Sequence, residues 1–302
     1  MTPAPKLSYV ALVTRDIPNT SRLLGDVLGL KLTPVDAGLA CVPVFAVGEA
    51  ALALFSPGDS FVDGETNTGV HHIGLDYGTH PPPDIATLGE PRPGLAGATR
   101  TALDPAATVG VRSFLTGPLD IARGTPPLIE RIDHLGIASA DNRAAVAAFT
   151  GRMGLPIESQ QTDMEVETAI ESFTSDKYGV VYHSRAPRVV GGLRVSFLTA
   201  GDCELEFLQN FDPSHGAHLE HGAAGNTRQD QGAITRFIAT RGAGLHHVAL
   251  KSPDINATLA LLERAGATLI DKVGRPGSRR ALIGFIKPAS FGGVLFHVVQ
   301  RP

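Results

Sequence analysis

Three stretches of this chain read as one pattern: LSYVALVTRDIPNTSRLLGDVLGL (7–30), IDHLGIASADNRAAVAAFTGRMGL (132–155) and LHHVALKSPDINATLALLERAGA (245–267). Each opens on a short apolar strand, turns at Asp or Asn, runs through an amphipathic helix and closes near a glycine. A fourth strand, VHHIGLDYG (70–78), opens like the third copy. A self-similar unit of this size sets the architecture, because each copy needs its neighbours to cover its apolar face.

The helices follow from spacing. In 254–266 the apolar residues Ile255, Leu259, Leu262 and Ala265 recur every three or four positions, and in 142–153 Val146, Phe149 and Met153 do the same. Asp141 and Asp254 stand where a side-chain oxygen can cap free helical amides. Gly29, Gly154 and Gly266 stand where a helix ends in a left-handed residue. Strand-like runs follow each helix: LRVSFLT (193–199), ELEFL (204–208), ALIGFI (281–286) and GVLFHVV (293–299). The unit is therefore βαβββ.

The predicted fold is α+β, with four such modules in two pairs, residues 1–120 and 130–302. The second module (70–122) is degraded. HPPPDIATLGEPRPG replaces its helix, and proline there removes donors and fixes φ. IARGTPPLIE (121–130) reads as the linker. Two stretches, 159–190 and 214–240, read as excursions from the core; the polar SHGAHLEHGAAGNTRQDQG (214–232) reads as loop.

Strand alternation selects the candidate ligands. His134 is expected to share a face with Ile132 and Gly136. His247 should share one with Leu245 and Ala249, with His246 pointing away. Glu206 aligns with Glu204 and Leu208, and His297 with Leu295 and Val299. His134 and His247 occupy one position in two copies of the repeat, and Glu206 and His297 each lie in a late strand of those copies. Imidazoles joined by a carboxylate form an open site for a divalent ion: Fe, Mn, Co, Ni or Zn. In the first half the matching positions are Tyr9, Ala53 and His72, and 111–120 adds no ligand, so that half is expected to lack metal.

The βαβββ order, twice per half, resembles the vicinal-oxygen-chelate superfamily, the glyoxalase and bleomycin-resistance fold. GAGLHHVALKSPDI (242–255) and RRALIGFIKPASFGGVLFHVV (279–299) resemble methylmalonyl-CoA epimerases. The resemblance covers 132–302 well and 7–78 more loosely. It implies one metal ligand from the first strand and one from a late strand of each unit: His134, Glu206, His247 and His297. The chain departs from the family at His297, where a glutamate that doubles as base is usual. It departs again at Val190, near which the family carries a second base. His297 is then ligand or acid/base, with Glu165, Glu167, Glu171, Tyr178 and His183 as further proton carriers.

Three functions follow from the resemblance. One is metal-assisted proton transfer of the epimerase, isomerase or lyase kind, on an acyl-CoA or 2-oxo compound. The second is a non-haem Fe(II) ring-cleaving dioxygenase, and the third a non-catalytic small-molecule binder of the bleomycin-resistance type. Arg275, Arg279, Arg280 and Lys287 cluster about a Gly/Pro turn, where a CoA or carboxylate group would fit. His215, His218 and His221 read as surface residues.

Composition narrows the setting. Of 302 residues 43% are apolar, and the net charge is only −4. Neither nucleic acid nor a membrane surface is an expected partner. The chain shows no signal segment and no apolar run near the roughly 20 residues that span a bilayer. The two cysteines, Cys41 and Cys203, stand far apart, as in a reducing compartment, so the expected location is cytoplasmic. The expected partner is a small-molecule substrate. A homodimer is allowed but not required, since four units can complete the fold within one chain.

Overall fold

The computed structural model describes residues 4–78, 85–124, 126–167, 170–184, 186, 188–211 and 232–302. Its strands form two curved eight-stranded sheets. The first contains β1 (Lys6–Val13), β2 (Lys31–Asp36), β3 (Cys41–Val47), β4 (Ala50–Phe55), β5 (Gly69–Asp76), β6 (Thr87–Pro93), β7 (Thr99–Leu103) and β8 (Ser113–Thr116). The second contains β9 (Arg131–Ala138), β10 (Ile157–Glu167), β13 (Arg188–Ala200), β14 (Cys203–Phe211), β15 (Gly244–Lys251), β16 (Arg275–Pro276), β17 (Leu282–Ile286) and β18 (Phe296–Gln300). A separate hairpin, β11 (Ile170–Ser175) and β12 (Gly179–Ser184), lies between β10 and β13.

The sheet orders are β2-β3-β4-β1-β5-β8-β7-β6 and β10-β13-β14-β9-β15-β18-β17-β16. They superimpose term by term, as four βαβββ modules in two pairs require. In each half the first strands of two modules meet antiparallel at the centre, β1 with β5 and β9 with β15, and each lies parallel to a late strand of its own module.

The helices are α1 (Ile17–Arg22), α2 (Asn142–Ala147), α3 (Ala233–Arg241) and α4 (Ile255–Arg264). Asp16, Asp141 and Asp254 each accept backbone N–H bonds at the start of their helix. Gly29, Gly154 and Gly266 take φ of 76°, 75° and 93°, the left-handed turn that stops each one. The helix expected over 142–153 changes pitch on the way: α2 passes into a wider π-turn over Ala148–Arg152, as α1 does over Leu23–Val27. Among the described residues the second module has no α-helix, in keeping with its proline-rich segment.

The helices of both halves share one apolar core. Leu23, Leu24 and Leu28 pack in the same buried cluster as Phe149, Leu259 and Leu262. The opposite, concave faces of the two sheets differ. In the first half this face is closed by Tyr9, Ala53, Phe55 and Phe61. In the second the apolar residues split into two groups, one around Phe197 and Ile234 and one around Ala249 and Val299. The gap between them holds the candidate site.

Three expectations need correction. The stretch 159–190 is no excursion: β10, the edge strand of the sheet, pairs with β13 from Ile157 to Arg188, and only the β11–β12 hairpin leaves the sheet. β10 is exposed or half-buried along its described residues Ile157–Asp163, and its polar composition therefore reads as loop. Within 214–240, residues 233–240 belong to α3; 214–231, with His215, His218 and His221, lie outside the described residues. The third correction concerns strand alternation and bears on the site itself.

Candidate metal centre

Strict period two fails at the two strands that matter most. The β9/β15 register slips between Ala249/Leu250, opposite His134 and Ile132, and again between Leu245/His247. Each slip is a bulge, which adds a residue and re-aims side chains. Ile132 therefore joins Leu135 and Ile137 in the helix-side core instead of sharing a face with His134, and Leu245 joins that core too. His246 does not point away from His247: both line the cavity. The β1/β5 pair slips at the matching places, between Leu7/Tyr9 and Ala11/Leu12.

The four selected residues converge. Glu206 and His247 each lie in register with Gly136, and Ala249 pairs with both His134 and His297. His134 Nε2 is 3.2 Å from Glu206 Oε2 and 3.2 Å from His297 Nε2. His247 Nε2 is 3.6 Å from the same carboxylate oxygen, too long for a hydrogen bond, and has no hydrogen-bond partner among the described residues. Ring nitrogens of His134, His247 and His297 lie within 4.8 Å of one another. All four residues are at most 5% exposed. An unpartnered imidazole nitrogen, two further ring nitrogens and a carboxylate around one buried point match the donor chemistry of a divalent ion.

Neighbours orient these donors. Asp133, placed at the bulge, accepts from His134 Nδ1 at 2.8 Å, which turns Nε2 inward. Asp133 is held in turn by an ion pair with Arg301. His246 Nδ1 lies 2.9 Å from His247 Nδ1, leaving His247 Nε2 to face the cluster. Asp133→Asn should weaken metal binding about 10–100-fold, the usual cost of losing an outer-shell carboxylate. Chelator competition measures it; unchanged affinity would make Asp133 only a partner for Arg301.

Gly136 supplies the room. A Cβ at this position would overlap the His247 ring. Gly136→Ala should displace that ring, costing about 1–3 kcal/mol of overpacking. A melting curve and the metal content report it together, and a variant with wild-type values for both would show that the ring has slack.

Charge is arranged around one proton. Burial pushes His134 down, but Glu206 and Asp133 together outweigh it and lift the imidazole to about 9. Burial pushes Glu206 up, yet the charge on His134 holds it below its ordinary value. His247 and His297 are kept well below the histidine range, by burial first and then by their imidazole neighbours. Without metal, the cluster thus carries its proton on His134 and leaves His247 and His297 neutral.

The cluster opens into a cavity of about 520 Å³. Its walls are partly apolar (Leu208, Ile234, Ile283, Leu295) and carry Asp163, Asn210, Arg275 and Arg301. Asp163, on β10, is a carboxylate of the cavity lining that sequence reasoning missed. Partial burial raises its pKa and the charge of Glu206 adds to this, against a hydrogen bond from Gln161 at 2.8 Å. Of the carriers expected in 159–190, Tyr178 and His183 stand exposed on the hairpin, away from the cavity lining. The side chains of Glu165, Glu167, Glu171 and Val190 lie outside those described. Of the arginine cluster, Arg275 reaches the lining, whereas Arg279 pairs with Glu158 and Glu204.

The first half repeats the geometry with other residues. Its register puts Tyr9, Ala53, His72 and Phe114 where the second half has His134, Glu206, His247 and His297. His72 Nε2 is 3.3 Å from both the Tyr9 hydroxyl and Arg100 Nη1, and Arg100 stacks 3.6 Å from the Phe61 ring centre. Among the described residues no second group of three ligand-type side chains gathers, there or elsewhere.

A family model described as the Glyoxalase/Bleomycin resistance protein/Dioxygenase superfamily matches residues 133–285, about half of the chain. The uncharacterized protein YqjC of Bacillus subtilis (strain 168) is 24% identical over 172 residues, covering 57% of this chain and 93% of that protein. Among solved structures, a mutant of 4-hydroxymandelate synthase from Streptomyces coelicolor shares the fold over 99% of this chain and 93% of its own, with a TM-score of 0.61 and 14% identity. Methylmalonyl-CoA epimerase from Mycobacterium tuberculosis covers 58% of this chain and 90% of its own, at a TM-score of 0.41 and 21% identity. Among the described residues no helix is long and apolar enough to cross a membrane.

Proposed function

We propose that this chain, which belongs to the glyoxalase/bleomycin resistance protein/dioxygenase superfamily, is a metal-dependent enzyme that moves a proton on carbon next to a carbonyl, as an epimerase, isomerase or lyase does. Its substrate would be a 2-oxo compound or an acyl-CoA. The observation that carries the reading is the fourth donor. His134, Glu206, His247 and His297 all face one point and would together hold a divalent ion. That is one donor more than the two-histidine, one-carboxylate set used for ring cleavage, and an ion so held would serve a substrate that presents adjacent oxygens better than one that must share it with dioxygen.

A bound divalent ion would polarise the carbonyl and stabilise the enolate charge. The chain's own residues do the rest. Asp133 and His246 fix the rings of His134 and His247. Leu208, Ile234 and Leu295 give the cavity apolar wall. The carboxylate of Asp163 accepts the proton from carbon and returns it; partial burial tunes it toward that task. His297, expected from sequence as ligand or base, is assigned the ligand role, because its Nε2 is turned to His134 Nε2.

The test is solvent deuterium wash-in at the carbon beside the carbonyl, run on metal-loaded protein with a panel of 2-oxo acids and acyl-CoA thioesters. Exchange on any of these supports the reading. Oxygen uptake on a catechol with no exchange on the panel would replace it by the dioxygenase.

A further inference from the structure

The cavity wall carries hydrogen-bond donors that the chain itself does not use. Its two lining arginines differ. Arg301 is committed to Asp133. Arg275 donates only Nε, to Asp271 Oδ1 at 3.0 Å, and its Nη1 is buried with no partner among the described residues. Asp271 is anchored by the Phe285 amide at 2.9 Å, so the guanidinium it orients is held in place. Across the sheet on β14, Asn210 is 3% exposed. Its Oδ1 accepts from the Thr235 amide at 3.2 Å, which fixes the flip of the side chain, and its Nδ2, in the cavity lining, has no partner among the described residues. A buried N–H without a partner is costly, so two of them in one cavity point to acceptors on a ligand.

Phe285 gives the scale. Its ring centre lies 4.4 Å from the His297 ring and 5.6 Å from Arg275 Cζ. A group held by Arg275 therefore sits about one aromatic ring away from the histidine cluster. Resting on the function proposed above, we infer that the substrate carries a carboxylate remote from the two oxygens presented to the cluster, and that Arg275 Nη1 receives it while Asn210 Nδ2 donates to an uncharged oxygen. A carboxylate is favoured over a phosphate by the donor count: among the described residues no lysine lines the cavity, Arg301 is occupied, and Asp271 already offsets part of the charge on Arg275.

Two probes of equal chain length isolate the remote group: 2-oxoglutarate, which has it, and 2-oxopentanoate, which does not. Binding is measured by calorimetry on the full chain, zinc-loaded and metal-stripped. Zinc-loaded wild type should bind 2-oxoglutarate about tenfold or more tighter than 2-oxopentanoate. Arg275→Leu should erase that ratio and leave 2-oxopentanoate binding unchanged, which also shows the variant to be folded; Arg275→Lys should keep part of it. Equal affinity for both probes in wild type, a ratio that survives Arg275→Leu, or no binding of either probe overturns the inference. If stripping zinc changes neither affinity while the Arg275-dependent ratio persists, the carboxylate site stands and the metal reading falls.

Discussion

Glu206→Ala should leave the purified protein without its metal, lowering affinity at least about 100-fold, beyond the 10–100-fold typical of an outer-shell partner. Glu206 is the single carboxylate in the cluster, lies 3.2 Å from His134 and 3.6 Å from His247, and is buried. Its removal takes away both a donor atom and the negative charge that offsets a divalent cation in a dry site. The pH dependence supplies a second readout. In the metal-free chain a proton sits on His134, lifted to about 9 by Glu206 and Asp133 against its burial. Metal must displace that proton, so apparent affinity should fall up to tenfold for each pH unit below about 9. The folded pKa lies above the unfolded one, about 6.5. The proton therefore stabilises the metal-free fold fully below that value and loses its effect as pH rises through about 9. Between pH 6.5 and 9 the metal-free protein should thus lose stability while the metal-loaded protein stays level, because the gain in metal affinity offsets the lost proton. Metal analysis, calorimetry in buffers of different ionisation enthalpy and melting curves check these points. Full metal occupancy in Glu206→Ala would put the ion elsewhere.

Much of this site was legible before any coordinates. The repeat itself aligned Tyr9 with His134, Ala53 with Glu206 and His72 with His247, and the sheet registers place each pair alike. That worked because homologous strands of a repeat must bury the same face, so position within the copy carries information that a lone histidine does not. What failed was strict alternation. A bulge shifts the phase by one residue without leaving a polar or apolar signature, so Asp133 and His246 were assigned to the wrong side or overlooked. One signal did exist: the doubled histidines His71–His72 and His246–His247 stand at the same place in two copies, and that place is the bulge. Asp163 was invisible for another reason. In IESQQTDMEVE both faces of an edge strand are polar, and nothing local distinguishes a carboxylate at a cavity from its solvated neighbours.

Asp163→Asn should abolish proton exchange at the substrate carbon while leaving the metal bound, a loss of about 10²–10⁴-fold in line with the removal of a general base. The substitution keeps the shape of the side chain and its contact with Gln161, and Asp163 touches none of the four clustered donors by hydrogen bond or ion pair. The effect on kcat should therefore far exceed any effect on metal content or on affinity for 2-oxo acids. The pH profile carries the sign. Proton abstraction requires the carboxylate form, so kcat/KM should rise with pH through the pKa of Asp163 and then level off. Partial burial and the nearby charge of Glu206 place that limb above the ordinary aspartate value of about 3.9. In the variant the limb should vanish along with the rate. A variant that keeps both exchange and the acid limb would move the base to another cavity group. A second such group in the lining is His246, which burial first, and then Arg241, holds down at about 4 and hence neutral near pH 7. His246→Gln, tested by the same exchange assay, separates the two: it should leave the acid limb in place if Asp163 is the base, and remove it if the imidazole is.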